Sequence, residues 1–151
     1  MYFPIWFWVL VSVTVPLPYG VYALAAALVC STLAVLFAVL IFRVPNKGRV
    51  IVKSFWKVFL FTALSDYLGA TAILGVYALC QALLPSLDVA SAPGSVFVAI
   101  PGVIVAGVLI WLSSRFVSFR NTGSEAKTLR RLSLMTAILL APYWLAIPVP
   151  V

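Results

Sequence analysis

The 151-residue chain has no histidine and only three acidic residues, Asp66, Asp88 and Glu125. Without histidine it cannot form a histidine-based catalytic triad or a histidine metal site. The three carboxylates fall in an apolar run, a short polar loop and a basic segment, so we expect them to be too far apart to act as an acid–base pair or to chelate a metal for phosphoryl transfer. The sequence also has no glycine-rich phosphate loop. We therefore predict a protein that is not an enzyme and that needs no cofactor.

Cysteine is also scarce. Cys30 and Cys80 each lie within an apolar run, with no CxxC spacing and no companion ligands nearby in the sequence. A disulfide framework or a metal site requires such partners. The two thiols are therefore predicted to be reduced and buried.

Charged residues make up only 9% of the chain, whereas hydrophobic residues make up 65%. Soluble domains have about 25% charged and about 45–50% apolar residues, so a soluble domain of this composition could not cover its surface with polar groups. The predicted class is an all-α integral membrane protein. At about 20 apolar residues per crossing, the length fits four transmembrane helices in one transmembrane domain, residues 1–151. The spans are expected at about residues 19–42, 55–84, 96–115 and 132–150, the last with a kink at Pro142.

Residues 2–18 are apolar and aromatic but contain three prolines. Their longest run without proline, residues 5–15, would form a helix of about 16 Å, roughly half of a bilayer. We therefore expect an N-terminal interfacial or half-inserted segment with Tyr2, Trp6 and Trp8 as membrane anchors. A kinked extension of the first span and a short fifth span are the alternatives. The segment has no basic region at its start and so does not resemble a secretory signal peptide.

The basic residues are confined to two segments, residues 43–57 and 115–131. They are Arg43, Lys47, Arg49, Lys53, Lys57, Arg115, Arg120, Lys127, Arg130 and Arg131. Because lysine and arginine favour cytoplasmic loops, both segments are predicted to be cytoplasmic loops of a plasma (inner) membrane protein, with the N-terminal segment, loop 85–95 and the C-terminus outside. The positive charge then indicates contact with anionic lipid headgroups at about 1 kcal/mol per charge, or with an acidic cytoplasmic partner, rather than nucleic acid. The alternative is that these basic residues only set the orientation of the protein in the membrane.

Asp66 is the one acidic residue inside a long apolar run. A charge at the bilayer centre costs roughly 3 kcal/mol on insertion scales, so this carboxylate is expected to be paired, protonated or turned away from lipid. Thr62, Gly69 and Tyr77 fall on the same helical face and form with Asp66 a candidate intramembrane polar site. A structural role would bond Asp66 to threonine or tyrosine, or pair it with Arg115 or a partner chain. In a functional role, a buried carboxyl group would load and unload a proton or an ion.

Two functions remain open on this basis. The first is a non-catalytic, multi-pass membrane subunit of a larger membrane assembly, packed through the small-residue helix faces around Asp66. The second is a small homo-oligomeric ion- or proton-coupled transporter or channel that uses Asp66. In both, the partners are the lipid bilayer and other membrane subunits or further copies of the chain.

Overall fold

The computed structural model describes residues 2–4, 18–44, 47–83, 92–122, 125–146 and 148–150. These residues form four α-helices: α1 (Pro18–Ile41), α2 (Lys47–Leu83), α3 (Ala92–Ser113) and α4 (Ala126–Leu140). A π-helical turn (Ser114–Ser118) and a 3-10 turn (Arg120–Thr122) follow α3, and a second 3-10 turn (Tyr143–Ala146) follows α4. The only extended segments in these ranges are two short strands, β1 (Tyr2–Pro4) and β2 (Pro148–Pro150). The all-α prediction is thus confirmed for the described chain.

The four helices close into a ring. Each packs against the next along the chain, and α4 packs back against α1. One apolar cluster fills the interior with side chains from every helix, including Val35, Val58, Ile110 and Leu132, all almost completely buried. All four helices therefore contribute to this cluster and form a single bundle.

Two helical segments are long and apolar enough to cross a membrane: Lys47–Leu83, and Val96–Ser118, which covers most of α3 and the π-helical turn. In α1 the segment Ala25–Ile41 is also apolar but is shorter. The bounds of α1 agree with the expected first span to within one residue. Helix α3 continues through Pro101, and with the π-helical turn it covers the expected third span.

Helix α1 ends in a Schellman motif, the hydrogen-bonded turn that commonly follows a helix. The Val44 amide donates to the Val39 carbonyl at 3.3 Å and the Arg43 amide donates to the Leu40 carbonyl at 3.2 Å. Both valines are buried in the core cluster, which supplies the apolar contact that accompanies this motif. The motif requires a left-handed residue, and Arg43 takes this position with φ of 47°.

Helix α2 begins earlier than the sequence indicates. The turn residues around Lys47 and the alternation that follows predict a basic cytoplasmic loop, residues 43–57, before a span at residues 55–84. Instead, α2 starts at Lys47 and has 37 residues, which gives a length of about 55 Å. Most of the expected loop therefore forms the first three turns of the same helix. The expected end of this span at residue 84 and most of loop 85–95 lie outside the described residues.

The fourth apolar segment is not one helix across residues 132–150. Helix α4 begins at Ala126, inside the expected loop 115–131, has 15 residues and ends at Leu140. Ala141 has φ −55° and ψ 131°, the extended conformation that a following proline imposes on the residue before it. Pro142 therefore ends the helix, and a 3-10 turn and β2 follow.

Strands β1 and β2 pair antiparallel, with Tyr2 opposite Pro150 and Pro4 opposite Pro148. The first and last described segments of the chain therefore lie side by side. The rest of the expected interfacial segment, residues 5–17, lies outside the described residues.

Candidate functional site

The buried residues of α2 recur every three or four positions, and three of them, Ser54, Thr62 and Ser65, are polar. The full set is Val50, Ser54, Val58, Thr62, Ser65, Gly69, Ala70 and Ile73. This spacing is that of one face of a helix packed against its neighbours. Asp66 lies next to this face, one turn from both Thr62 and Ala70, and its side chain is half-buried.

Gly69 lies where α2 crosses α3. A Cβ atom placed on Gly69 would lie 2.9 Å from both the Ala106 Cβ and the Gly102 carbonyl oxygen. The small-residue face of α2 therefore contacts α3 of the same chain. The sequence indicated that this face suits a neighbouring helix, but not which helix.

Asp66 has an unmet bonding requirement. Its Oδ1 is buried and makes no hydrogen bond with the described part of the chain, and the same is true of the Thr62 hydroxyl. The two side chains therefore do not bond to each other through these atoms. No ion pair joins Asp66 and Arg115 in the described residues. The Arg115 guanidinium carbon instead lies 5.5 Å from the Trp111 ring centroid and 5.3 Å from that of Phe116.

Tyr77 is too distant to join Asp66. It follows Asp66 by eleven residues, or about 16 Å along the helix. Tyr77 packs against a second apolar cluster, in which Ala70 and Ile73 of α2 meet Val98 of α3 and Leu145 of the 3-10 turn. Of the four residues of the expected polar site, the structure brings Thr62, Asp66 and Gly69 together and leaves Tyr77 apart.

Sequence reasoning missed four further polar groups of the core. Each is buried without a hydrogen-bond partner in the described residues: the Ser31 hydroxyl on α1, the Trp111 indole nitrogen on α3, the Ser118 hydroxyl in the π-helical turn and the Thr136 hydroxyl on α4. With Thr62 and Asp66 on α2, every helix contributes at least one such atom. Their signal in the sequence is weak, because a single serine or threonine in an apolar helix is usually bonded to its own backbone. Ser65 and Ser133 are bonded in this way, at 2.6 and 2.8 Å.

Three of these groups lie at similar heights in the bundle. Measured from the Gly69–Gly102 contact toward the N-terminal end of α2, Thr62 is about 10 Å away along α2, and Trp111 is about 13 Å away along the antiparallel α3. Helices α3 and α4 meet at Gly107, where an added Cβ would lie 3.8 Å from the Ala141 Cβ. Measured from this contact in the same direction, Trp111 is about 6 Å away along α3 and Thr136 about 7 Å away along α4. Thr62, Trp111 and Thr136 therefore form a polar layer in the core, about one helical turn from Asp66 toward the N-terminal end of α2.

The basic residues lie at one end of the bundle. Ser54 on α2 donates a hydrogen bond to the Ser118 carbonyl of the π-helical turn at 3.2 Å, which fixes this end. The ten basic residues fall on the end of α1, the start of α2, the segment after α3 and the start of α4; all are exposed except Lys57, which is half-buried. Asp66 is twelve residues beyond Ser54, about 18 Å along α2. No ion pair therefore joins Asp66 to this basic end in the described structure.

Two shallow grooves run along the outside of the bundle. The larger, about 450 Å³, lies between α3 and α4 and is lined by apolar groups that include Gly107, Trp111, Leu134 and Ile138. The smaller, about 350 Å³, lies between α2 and α3 and is lined by residues that include Phe61, Leu68 and Phe116. Both grooves open outward.

The described residues hold no group of three or more histidine, cysteine or acidic side chains that could bind a metal ion. Both cysteines have free thiols; Cys80 is half-buried, but Cys30 is exposed on the outer surface of α1, contrary to the expectation that it is buried. Comparisons with protein-family models, with characterised proteins and with solved structures give no match.

Proposed function

We propose that this protein is a non-catalytic, multi-pass subunit of a larger membrane assembly. Large apolar side chains stand exposed around the bundle, for example Leu60 at 61%, Leu79 at 60% and Ile104 at 59% exposure. In water such a surface would drive aggregation, whereas in a bilayer it faces lipid. The two long apolar helices support the same location.

In the proposed arrangement the chain crosses the plasma (inner) membrane four times, with the basic end in the cytoplasm. Helix α4 is only about 22 Å long, and the 3-10 turn and β2 complete the fourth crossing. Non-helical backbone at membrane depth must be covered by protein, and the burial of Leu145 against α2 and α3 supports this. The pairing of β1 with β2 supports a common side for the two chain ends.

The main support for the subunit proposal is the position of Asp66 and its lack of a bonding partner at Oδ1 in the described chain. Asp66 lies about 18 Å from the Ser54 level, near the middle of a hydrocarbon core of about 30 Å. Its Oδ1 is buried and has no partner in the described chain, while the residue as a whole is only half-buried, which leaves part of Asp66 open to a neighbouring subunit. A hydrogen-bond donor or cation from that subunit would offset the cost of roughly 3 kcal/mol of an unpaired carboxylate at this depth.

The test is native mass spectrometry of the tagged protein, extracted gently from its own membrane. We expect a defined complex that contains a second polypeptide, and we expect Asp66→Asn to release that polypeptide. Thr71→Ala is the matched control, because Thr71 is exposed on the same helix and its hydroxyl already bonds to the Tyr67 carbonyl at 2.9 Å. A complex that survives Asp66→Asn, or the absence of any second polypeptide, would contradict the subunit proposal.

The alternative is a small homo-oligomeric transporter or channel, coupled to a proton or another ion through Asp66. The buried polar atoms without partners on all four helices favour it, since they would bind water or an ion inside the bundle. Reconstitution into liposomes tests it: a gradient-driven ion flux should appear and Asp66→Asn should abolish it. Flux that persists in the variant would exclude a role for Asp66 in coupling.

A further inference from the structure

The groove between α3 and α4 is apolar along its length. On one wall are Gly107 and Trp111, and on the other Leu134, Ile138 and Ala141. Leu134 and Ile138 are 52% and 51% exposed, so the groove is open from the side. In a membrane it would be open to lipid chains along about two turns of α4.

The same two helix faces become basic at the cytoplasmic end. On α4, Arg130 precedes Leu134 by four residues and Lys127 by seven, which places both on the groove side of the helix, and both are exposed. On the other wall, Arg115 follows Trp111 by four residues. Its guanidinium carbon lies 5.5 Å from the centroid of the Trp111 ring, which itself lines the groove. An apolar groove therefore runs into a set of three cations.

We infer that this groove binds one anionic diacyl phospholipid. An acyl chain would lie along Gly107, Trp111, Leu134 and Ile138, and the headgroup phosphate would bind Arg115, Arg130 and Lys127. This inference rests on the membrane location proposed above, although not on the presence of a partner subunit. The charge pattern favours a phospholipid over a transmembrane helix of another protein, because a lipid carries its negative charge at one end of an apolar tail.

Arginine suits the headgroup position for a further reason. Its planar guanidinium can form paired hydrogen bonds with phosphate oxygens. The contact of Arg115 with the Trp111 and Phe116 rings holds this guanidinium near the groove, which lowers the entropy lost on binding. A lysine at this position would lose the bidentate geometry.

The test uses the full-length chain in nanodiscs of mixed phosphatidylglycerol and phosphatidylcholine, with retained lipid counted by native mass spectrometry. We expect one phosphatidylglycerol per chain, retained over phosphatidylcholine. Removal of two cations in Arg115→Gln/Arg130→Gln should weaken retention by about thirtyfold. The control variant Arg49→Gln/Lys53→Gln removes the same amount of charge from exposed sites on α2, at the same end of the bundle. It should change retention by less than about twofold.

A second variant tests the groove without changing any charge. An added Cβ at Gly107 would make only an ordinary contact, at 3.8 Å, with the Ala141 Cβ, so the longer side chain of Gly107→Leu should fit and occupy the groove. We expect it to abolish retention of phosphatidylglycerol. Equal retention of the two lipids, or equal losses in the two double-glutamine variants, would overturn the proposal in favour of diffuse headgroup attraction. A polypeptide in place of the lipid would also overturn it, and if Gly107→Leu fails to fold, the two double variants still decide.

Discussion

Gly69 on α2 and Gly102 on α3 pack backbone to backbone. A Cβ on Gly69 would lie 2.9 Å from the Gly102 carbonyl oxygen, and a Cβ on Gly102 would lie 2.6 Å from the Gly69 carbonyl oxygen. The contact is therefore reciprocal, and neither residue leaves room for a side chain. Small residues allow apolar helices to approach closely enough for dispersion contacts to hold them together in lipid. This crossing also fixes the position of Asp66, three residues before Gly69.

The first prediction concerns this crossing. Gly102→Ala should destabilise the bundle by about 1–3 kcal/mol, the usual cost of overpacking, because the new methyl group would also collide with Ile73. The free energy of unfolding in mixed detergent micelles measures the effect. Gly75→Ala is the control, since a Cβ there would meet nothing within 4 Å. The control should leave stability unchanged or raise it by up to about 1 kcal/mol through helix propensity. Equal stability of Gly102→Ala and wild type would show that the helices do not cross this closely.

The second prediction concerns the end of α1. Arg43 has a left-handed conformation with φ of 47°, which costs a non-glycine residue about 1–2 kcal/mol. Arg43→Gly removes this cost but gains chain entropy in the unfolded state, so we expect a net stabilisation of about 0.5–1 kcal/mol. Thermal unfolding in detergent should show a higher midpoint. Lys53→Gly, at an exposed position inside α2, should instead lower stability by roughly 0.5–1 kcal/mol. A lower midpoint for Arg43→Gly would contradict the left-handed cap.

Local patterns in the sequence predict local features of this fold. The apolar run that ends before Arg43 predicts α1 to within one residue, and the small-residue spacing around Gly69 indicates a helix contact. The prediction for the start of α2 is wrong because Lys47 and Gly48 belong to a sequence typical of a turn, whereas in the structure the helix begins at Lys47. The bond from Ser54 to the Ser118 carbonyl joins segments 64 residues apart, and no local pattern reports such a contact.

The polar groups of the core are also only partly predictable from local sequence patterns. Asp66 stands out in the sequence because acidic residues are rare in apolar runs. Ser31 and Thr136 do not stand out, since hydroxyl residues in apolar helices usually bond to their own backbone. Whether such a group lacks a partner depends on how the four helices assemble. The sequence therefore indicates two residues of the polar core, Asp66 and Thr62, and the structure adds groups from the other three helices.

The third prediction tests the long-range hydrogen bond. Ser54→Ala removes the donor to the buried Ser118 carbonyl and should lower stability by about 0.5–1.5 kcal/mol. Ser133→Ala is the matched control, because its hydroxyl bonds only to the Leu129 carbonyl one turn earlier at 2.8 Å. Both serines are fully buried, so the two variants remove similar groups from similar surroundings. Unfolding in detergent should separate them, and equal effects would argue against a special role for the contact between α2 and the π-helical turn.

The last prediction separates the stability of the isolated chain from assembly. Because Asp66 Oδ1 has no partner within the described chain, the charge has a cost in the isolated chain that a partner would offset. Asp66→Asn should therefore raise the stability of the isolated chain by up to about 3 kcal/mol and at the same time abolish partner binding or ion flux. Glu125→Gln, at an exposed site before α4, should change stability by less than about 0.5 kcal/mol. If Asp66→Asn instead destabilises the isolated chain, the carboxylate is already satisfied by its own bundle, and Asp66 is then a structural residue rather than the point of contact with a partner or an ion.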